Sequence, residues 1–279
     1  RWYHRARRQK TDPVSALKRK VRSDAGRQTA VGGLLHRALL DQYTAHKSWS
    51  CRLHCDNLIA LAAGKPELGP IPSYSTLRRF MLAQGLVRRP RRANRDTDGW
   101  RRAEARLEHR EVRSFEIEHV HALWHLDFHH GSCKILDSAG EWIKPMALGV
   151  LDDRSRLACH VQWYLTETAA DLVHGLCQAF QKRGLPRALL TDNGSAMIAG
   201  ETVQGLLRLG IVHRTTLPYS PYQNAKQEVF WAQLEGRLLA MLEGVEDLTL
   251  PLLNEATQAW VELEYQRRLH SETGQTPVQ

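Results

Sequence analysis

Three acidic side chains in the C-terminal half of this 279-residue chain are spaced in a way that suits phosphoryl transfer. Asp127 lies in the apolar run 124–128, Asp192 directly follows the apolar run 188–191, and Glu228 lies near the start of a helical stretch, with 35 residues between it and Asp192. Carboxylates from a strand, a strand end and a helix can hold two hard divalent cations. Two such cations about 3.5–4 Å apart stabilise the attacking and leaving oxygens of an in-line displacement at phosphorus. We therefore predict that these three acids are catalytic metal ligands.

Each of the three acids also has a purely structural interpretation. Asp127 could cap a strand end, Asp192 could form an Asx-turn with Gly194, and Glu228 could match the dipole at a helix N-terminus. An Asx-turn and metal ligation are compatible at Asp192. A lone carboxylate inside an apolar strand is costly unless it is paired or metal-bound. This cost favours the ligand interpretation at Asp127.

Other titratable residues near these acids are less suited to holding the metal. Asp152 and Asp153 follow an apolar run and precede another, and this position is typical of a hairpin turn rather than of a catalytic group. His125 and His129 are predicted to share a strand face with Asp127. Direct ligation by histidine is disfavoured because magnesium prefers oxygen ligands.

Polar side chains close to the three acids are candidates for accessory roles. We predict that Lys226 contacts a DNA phosphate, although a solvated helix face would explain it too. Asn193 and Asn224 could orient DNA or the carboxylates. His125 could place DNA or buffer protons. We treat these four residues as secondary to the three acids.

Strand-like and helix-like runs alternate from residue 115 onward. Their order is three strands, a helix, a strand, a helix, a strand and two helices, and the first three strands are predicted to form a meander. The predicted strands are 125–129, 143–151, 157–164, 188–191 and 211–217, and the predicted helices are 168–183, 200–209, 223–242 and 252–265.

The charge is distributed unevenly along the chain. Residues 1–113 hold 26 Lys and Arg against 10 Asp and Glu, a net charge of +16, whereas residues 114–279 hold 13 against 20, a net charge of −7. A basic half is suited to a polyanionic partner, and an acidic half suits a site that collects carboxylates. A merely solvated surface is the alternative for the basic half, but the clusters recur in several separate segments.

The basic half contains a pattern for three short helices between residues 33 and 85. The third helix, from about Ser75 to Gln84, carries Arg78 and Arg79. This pattern is typical of a helix-turn-helix, whose last helix enters the DNA major groove. A small helical domain that binds protein is the alternative. A basic cluster follows that would contact phosphates, and it contains Arg88, Arg89, Arg91 and Arg92.

We divide the chain into four parts from these patterns. They are a basic arm at 1–30, a helix-turn-helix domain at 31–87, a basic linker at 88–114 and a catalytic core at 115–279. The chain starts without Met and stops after Gln279, so we expect a fragment of a longer protein that lacks its C-terminal domain. No secretory signal or membrane-spanning run is visible.

Cysteine usage gives two further expectations. Five cysteines, an odd number, disfavour a secreted disulfide framework and favour a reducing compartment. The grouping of Cys51, His54 and Cys55 disfavours zinc, because it lacks a second ligand pair at the usual spacing and lies in an apolar helical pattern.

Several segments together resemble bacterial insertion-sequence transposases of the Asp-Asp-Glu type, within the retroviral-integrase superfamily. The resemblance covers roughly residues 120–279, with a weaker match to the helix-turn-helix region at about 30–90. Departures include Ala225, where the family commonly has glycine, and Leu269, where it has proline. The matching segments are WHLD (124–127), VLDDRSR (150–156), LTDNGS (190–195), PYSPYQNAKQE (218–228) and the tail EYQRRLH (264–270) with GQTP (274–277).

The resemblance implies a fold, a reaction and partners. It implies an RNase H-like mixed five-stranded α/β sheet with flanking helices, and two Mg²⁺ ions per active site, with Mn²⁺ as a substitute, held by Asp127, Asp192 and Glu228. The implied reaction is hydrolysis of phosphodiester bonds at transposon ends and joining of the 3′-OH to target DNA. The implied partners are double-stranded DNA of both kinds and further copies of the chain in a homo-multimer. The implied location is the bacterial cytoplasm near the nucleoid, with no membrane partner.

Two other functions remain open at this point. One is an RNase H-like nuclease that only cuts, and the other is an inactive, transposase-derived regulator that only binds DNA. Strand joining would exclude the first, and metal-dependent nicking would exclude the second.

Overall fold

The computed structural model describes residues 30–88, 117–137, 139–216 and 224–279, together with His4, Arg7 and Arg8. The chain divides into two compact units. One comprises residues 1–47 and 51–87, and the other comprises residues 48–50 and 88–279. Most of the predicted arm and of the predicted linker therefore lies outside the described residues.

The first unit is built from short helices around a small apolar core. Leu39, Leu58 and Leu77, one from each helix, are fully buried in that core. Ser73 occupies the position before the third helix, but its hydroxyl bonds to the Thr76 hydroxyl (3.1 Å) and makes no capping bond to the backbone. The helices are α1 (Gly33–Ala45), α2 (Cys51–Gly64) and α3 (Tyr74–Ala83), with a 3₁₀ turn at Pro66–Leu68.

The second unit contains a mixed five-stranded sheet in the order β5-β4-β1-β6-β7. β1 pairs antiparallel with β4 and parallel with β6, so the direction of pairing changes at β1. The predicted RNase H-like sheet is thereby confirmed. The strands of this sheet are β1 (Trp124–His130), β4 (Met146–Asp152), β5 (Ala158–Tyr164), β6 (Ala188–Thr191) and β7 (Val212–Thr215).

Helices cover both faces of this sheet. None of the described helices is long and apolar enough to cross a membrane. Thr168 caps the first helix through a reciprocal bond with Asp171, which fixes where the chain turns from β5 into that helix. The helices are α4 (Ala169–Arg183), α5 (Gly200–Arg208), α6 (Ala225–Gln233), a π-helical continuation at Leu234–Leu239, and α7 (Leu250–Leu263).

The sheet alternates its side chains between two apolar layers, as the two-residue period of a strand requires. In β4, Leu148 and Val150 pack with α4 and α5, whereas Ala147 and Leu151 pack with α6 and α7. In β1, Leu126 belongs to the α4 layer. The intervening polar residues of β1 therefore point toward the α6 layer.

The predicted strand 143–151 is divided in two by Pro145. Ile143 belongs to a small separate hairpin, and β4 begins only at Met146. A proline cannot donate a ladder hydrogen bond, which explains the break. The hairpin consists of β2 (Ile135–Leu136) and β3 (Trp142–Ile143).

Gly149 lets α6 approach the sheet closely. It lies directly opposite Asp127 in the β1–β4 register. A Cβ at this glycine would come within 2.5 Å of the Trp231 ring and 2.7 Å of Gln227 Nε2. Gln227 Nε2 instead donates to the Gly149 carbonyl at 3.1 Å. The closeness of α6 to β1 thus depends on a residue without a side chain.

Candidate active site

β1 presents Asp127 to helix α6. The side chain is half-buried, and its Oδ2 accepts a hydrogen bond from Trp231 Nε1 at 3.2 Å. His125 and His129 lie on the same face of the strand, as the alternation predicts. Asp127 is therefore held on the α6 side of the sheet, in the middle of its central strand.

Asp192 follows β6 at the carboxyl end of that strand. The parallel register pairs Trp124 with Leu189 and His125 with Leu190, and continuing it places Asp192 level with Asp127. Asp192 Oδ1 accepts from the Gly194 backbone N–H at 2.9 Å, so the predicted Asx-turn is confirmed. This turn fixes the carboxylate at the point where β1 and β6 separate.

The Asp127 carboxyl has an unusual affinity for protons. Its pKa is raised to about 7, chiefly by burial; the hydrogen bond from Trp231 opposes the shift, the negative charge of Asp192 adds to it, and the charge of His129 opposes it. A buried carboxylate with a second negative charge nearby creates a demand for positive charge. The pair thus fits a divalent cation, since its oxygens are hard and anionic.

Glu228 lies in the first turn of α6. Burial raises the pKa of this carboxyl as well. Residues three apart on a helix are neighbours, so Glu228 lies one turn before Trp231, which bonds to Asp127. Among the described residues, however, no three His, Cys, Asp or Glu side chains are placed to hold a metal ion together. The structure brings Asp127 and Asp192 into electrostatic contact and carries Glu228 on the helix that contacts Asp127.

Asp153 has more partners than a hairpin turn requires. Its neighbour Asp152 performs the turn function, because its Oδ1 accepts from the backbone N–H groups of Arg154 (3.1 Å) and Ser155 (2.8 Å). Asp153 is only 1% exposed, and its Oδ1 lies 2.8 Å from His125 Nε2 and 2.6 Å from Lys226 Nζ. The sequence places Asp153 in the turn but gives no sign of this buried cluster.

A second polar cluster supports Trp231 from the side of β1. The His129 ring stacks on the Trp231 ring, with centroids 4.9 Å apart and an interplanar angle of 14°. His129 Nε2 lies 2.9 Å from Glu235 Oε1, which also accepts from the Ser132 backbone N–H at 2.9 Å. Burial alone would raise the pKa of Glu235, but these hydrogen bonds outweigh it and leave the pKa below its ordinary value.

The sequence alone favours a core position for Trp231 and does not single out Glu235. Trp231 is indeed 5% exposed, but its indole N–H also serves Asp127. A signal for this role was its position three residues after Glu228, on the same side of the helix. Glu235 lies in the π-helical continuation of α6, and a regular helical period does not reveal which way such a residue points.

The accessory candidates have protein partners or lie close to the acids. Lys226, predicted to contact phosphate, forms an ion pair with Asp153. Asn193 Nδ2 donates to the Thr216 carbonyl at 2.8 Å, which ties the segment after Asp192 to the end of β7. Asn224 precedes α6, and its buried Oδ1 has no hydrogen-bond partner among the described residues.

The arginines predicted to read DNA lie on the exposed side of α3. Arg78 and Arg79 are both exposed. Arg79 Nε donates to the Ser75 carbonyl at 3.2 Å, so its guanidinium lies over the first turn of the helix. Arg88 is exposed at the end of a described segment. The other predicted phosphate contacts, Arg89, Arg91 and Arg92, lie outside the described residues.

Comparisons with known proteins bear on the second unit. Residues 118–221 match the family model of the integrase core domain, and no curated protein matches the chain. A chain of the simian T-cell lymphotropic virus intasome in complex with PP2A regulatory subunit B56 gamma is similar, at 19% identity, a TM-score of 0.49 and 57% coverage of this chain. This chain spans about half of it, 53%.

Two isolated viral catalytic cores are also similar to this chain. The HTLV-2 integrase catalytic core domain in complex with magnesium has 21% identity and a TM-score of 0.45, with 57% of this chain and 94% of that chain covered. The BIV integrase catalytic core domain has 22% identity and a TM-score of 0.44, with 56% of this chain and 91% of that chain covered.

Proposed function

Because residues 118–221 match the integrase core domain family, we propose that this chain is a DNA transposase of the Asp-Asp-Glu type. The observation that carries the proposal is the pairing of Asp127 with Asp192 beside a helix that bears Glu228. Burial chiefly, and the negative charge of Asp192 to a smaller extent, raise the pKa of Asp127. Cations held at such a site would also offset the negative charge of a phosphodiester.

The proposed reaction has two displacements at phosphorus. In the first, water attacks the phosphodiester at the transposon end, and the 3′ oxygen leaves to become a 3′-OH. In the second, this 3′-OH attacks a phosphodiester of target DNA, and the target strand's own 3′ oxygen leaves. Both steps exchange one phosphorus–oxygen bond for another, so no oxidant, reductant or covalent protein intermediate is required.

The side chains of this site would hold cations and orient them. Asp127 and Asp192 would supply the closer ligands, and Glu228 would complete one site. Two Mg²⁺ ions, or Mn²⁺ in their place, when bound would polarise the attacking and leaving oxygens. Trp231 would keep one oxygen of Asp127 in a fixed direction through its N–H bond, as groups behind metal ligands generally do.

DNA recognition would come from the basic half of the chain. The net charge of +16 over residues 1–113 supports a DNA-binding surface there. We propose that α3 reads terminal inverted repeats through Arg78 and Arg79, both exposed. The acidic core, with a net charge of −7, would depend on this half for DNA affinity. Joining two transposon ends also calls for several copies of the chain on one DNA complex.

A strand-transfer assay in which the protein selects its own DNA substrate tests the proposal. Duplexes bound by the protein would be selected from a random-sequence pool, and the enriched duplex would be end-labelled and mixed with target plasmid. With Mg²⁺ or Mn²⁺ we expect a nicked duplex with a 3′-OH and label joined to plasmid. With EDTA, or with Asp127→Asn, we expect neither product.

The two alternative functions give different products in the same assay. Nicking without any joined plasmid would indicate a nuclease that only cuts. Enrichment of a specific duplex without metal-dependent nicking would indicate a DNA-binding regulator. Either result with active, folded protein would overturn the transposase proposal.

A further inference from the structure

Asp153 connects two chain segments that each lie two residues before a proposed catalytic acid. Its Oδ1 contacts His125 Nε2 at 2.8 Å, two residues before Asp127 in β1. The same oxygen contacts Lys226 Nζ at 2.6 Å, two residues before Glu228 in α6. One carboxylate oxygen thus joins the central strand to the first turn of the helix.

The other oxygen of Asp153 fixes the carboxylate in place. Oδ2 accepts from the Ile117 backbone N–H at 3.2 Å, so both oxygens are used. Burial alone would raise the pKa of Asp153, but hydrogen bonds from His125 and Lys226 outweigh it and leave the pKa below its ordinary value. The carboxylate is therefore charged at neutral pH. A buried charge with several matched donors is costly to disrupt.

The tether acts on the part of α6 that holds Glu228. Two further contacts fix this helix to the sheet, from Gln227 to the Gly149 carbonyl and from Trp231 to Asp127. Lys226 immediately precedes Gln227, so it projects about 100° away from it around the helix axis, and it lines a cavity of about 520 Å³ together with Asp153, Arg156 and Glu272. Because Lys226 and Gln227 bond to different groups from different directions around the helix axis, the two contacts together restrict rotation of the helix.

We propose that Asp153 is a positioning residue that clamps β1 to the first turn of α6 and thereby sets where Glu228 stands relative to Asp127. The positioning of Glu228 for metal binding rests on the proposed function. The clamp itself concerns only how α6 is held and does not depend on the proposed function. Lys226 is accordingly assigned to holding the helix rather than to contacting a phosphate.

Hydrogen exchange of the full chain, without DNA or metal, tests the clamp directly. The variants are Asp153→Asn and Lys226→Met, which remove one charge each at similar volume. Peptides covering 225–233 should exchange on the order of tenfold faster, because opening of this turn loses its charged tether. Peptides from β4 and β5 should keep wild-type rates, whereas general destabilisation would speed them as well. Lys226→Arg, which keeps a cation, should restore most of the protection.

The double variant Asp153→Asn with Lys226→Met provides a second criterion. If the two residues act through each other, the double variant should exchange no faster than the worse single variant. The matched control is Glu272→Gln, which removes the Arg156–Glu272 ion pair at the same cavity and should leave α6 unchanged. Wild-type exchange of 225–233 in Lys226→Met, or additive effects in the double variant, would overturn the clamp. Lys226→Met decides this even if Asp153→Asn does not fold.

The strand-transfer assay then separates this inference from the proposed function. Asp153→Asn should raise the Mn²⁺ concentration for half-maximal cleavage on the order of 10–100-fold, as losses behind metal ligands do. Its affinity for the selected duplex should stay at the wild-type level. If the wild-type protein is active and Asp153→Asn has the same Mn²⁺ dependence, only the proposed effect of the clamp on Glu228 is overturned. An inactive wild-type protein would overturn the transposase proposal, while the exchange data still decide the clamp.

Discussion

Trp231 Nε1 donates a hydrogen bond to Asp127 Oδ2 at 3.2 Å, and this bond joins α6 to the central strand. The Trp231 ring is also stacked on His129, which is bonded to Glu235 farther along the same helical segment. The indole is thus held in place before any ligand binds. The hydrogen bond from this indole therefore orients Oδ2 of Asp127.

We predict that Trp231→Phe lowers metal affinity more than it lowers stability. Phenylalanine keeps an aromatic ring in the core but removes the N–H that orients Asp127. The Mn²⁺ dissociation constant, measured by titration calorimetry, should rise on the order of 10-fold or more. The matched control is Trp260→Phe, since the buried Nε1 of Trp260 has no hydrogen-bond partner among the described residues. Equal effects of the two substitutions on Mn²⁺ affinity would contradict the assigned role.

Asp127→Asn should stabilise the metal-free protein at high pH. Burial raises the pKa of Asp127 from 3.8 to about 7, so the folded state holds this proton more tightly than the unfolded state. The stabilisation from that proton is complete below pH 3.8 and is lost as the pH rises through about 7. Asparagine is neutral throughout, so its free energy of unfolding at pH 8 should exceed that of the wild type by roughly 2–4 kcal/mol.

Chemical denaturation in EDTA at several pH values measures this difference. The advantage of Asp127→Asn should disappear at pH 4, where the wild-type carboxyl is protonated in the folded state. Addition of Mn²⁺ at pH 8 should stabilise the wild type and leave the variant unchanged, because the cation replaces the missing proton. A difference that is constant across the pH range would be inconsistent with a raised pKa at this residue.

Removing any one of the three acids should abolish both reaction steps. Asp127→Asn, Asp192→Asn and Glu228→Gln each keep side-chain volume and remove an anionic oxygen that a metal requires. Cleavage and joining should fall below detection in each variant, while gel shifts with the selected duplex stay at the wild-type level. Glu262→Gln, which removes an ion pair with Arg183 far along α7, is the control and should stay active. Substantial cleavage by any one of the three variants would remove that residue from the catalytic set.

The two groups of arginines should affect DNA binding differently. Arg78→Ala with Arg79→Ala should weaken binding to the selected duplex more than to random duplex, because base contacts carry sequence information. Replacing Arg88, Arg89, Arg91 and Arg92 should weaken both equally and reduce the salt dependence by about 0.9 per lost phosphate contact. Arg37→Ala, on the exposed side of α1, is the control. If the first pair weakens all duplexes alike, α3 does not read bases.

The acidic half of the chain should fold but bind DNA poorly by itself. Residues 114–279 carry a net charge of −7, whereas residues 1–113 carry +16. At physiological salt the isolated second segment should give no gel shift, and the full chain should bind and assemble into larger complexes on DNA. Sedimentation of both proteins with duplex measures this. Tight DNA binding by residues 114–279 alone would show that the basic half is not the source of affinity.

Periodicity predicted the main strands and helices because each buries one side of a regular element. Leu126 and Leu148, for example, lie in one layer, as their alternation requires. The helix predicted to start at residue 252 begins two residues earlier, at Leu250, and Pro251 lies in its first turn, where proline is tolerated. The π-helical stretch after Gln233 was not predicted from the sequence. Its hydrogen bonds join residues five apart instead of four, and no local sequence pattern distinguishes the two.

The candidate site could be predicted only at residues whose type and local sequence context indicate a chemical role. The sequence indicates Asp127 and Asp192 as candidates because carboxylates in or after apolar strands are costly without a partner. The sequence predicts only a turn at Asp153. Its buried cluster could not be predicted, because its two partners are 28 and 73 residues away in sequence. Trp231 was assigned to the core because burial and hydrogen bonding by one indole cannot be separated in a sequence. Long-range contacts of this kind become visible only when the strands and α6 are placed together.

A substitution at Gly149 would disturb this site without changing any charged residue. Gly149→Ala, the smallest possible enlargement, would place a methyl carbon 2.5 Å from the Trp231 ring. Residue 149 is paired with Asp127 on the neighbouring strand. An inactive protein could therefore arise with every ionisable group intact. A survey that mutates only charged residues would pass over this position. The distance between the strand and the helix therefore depends on residue 149 having no side chain.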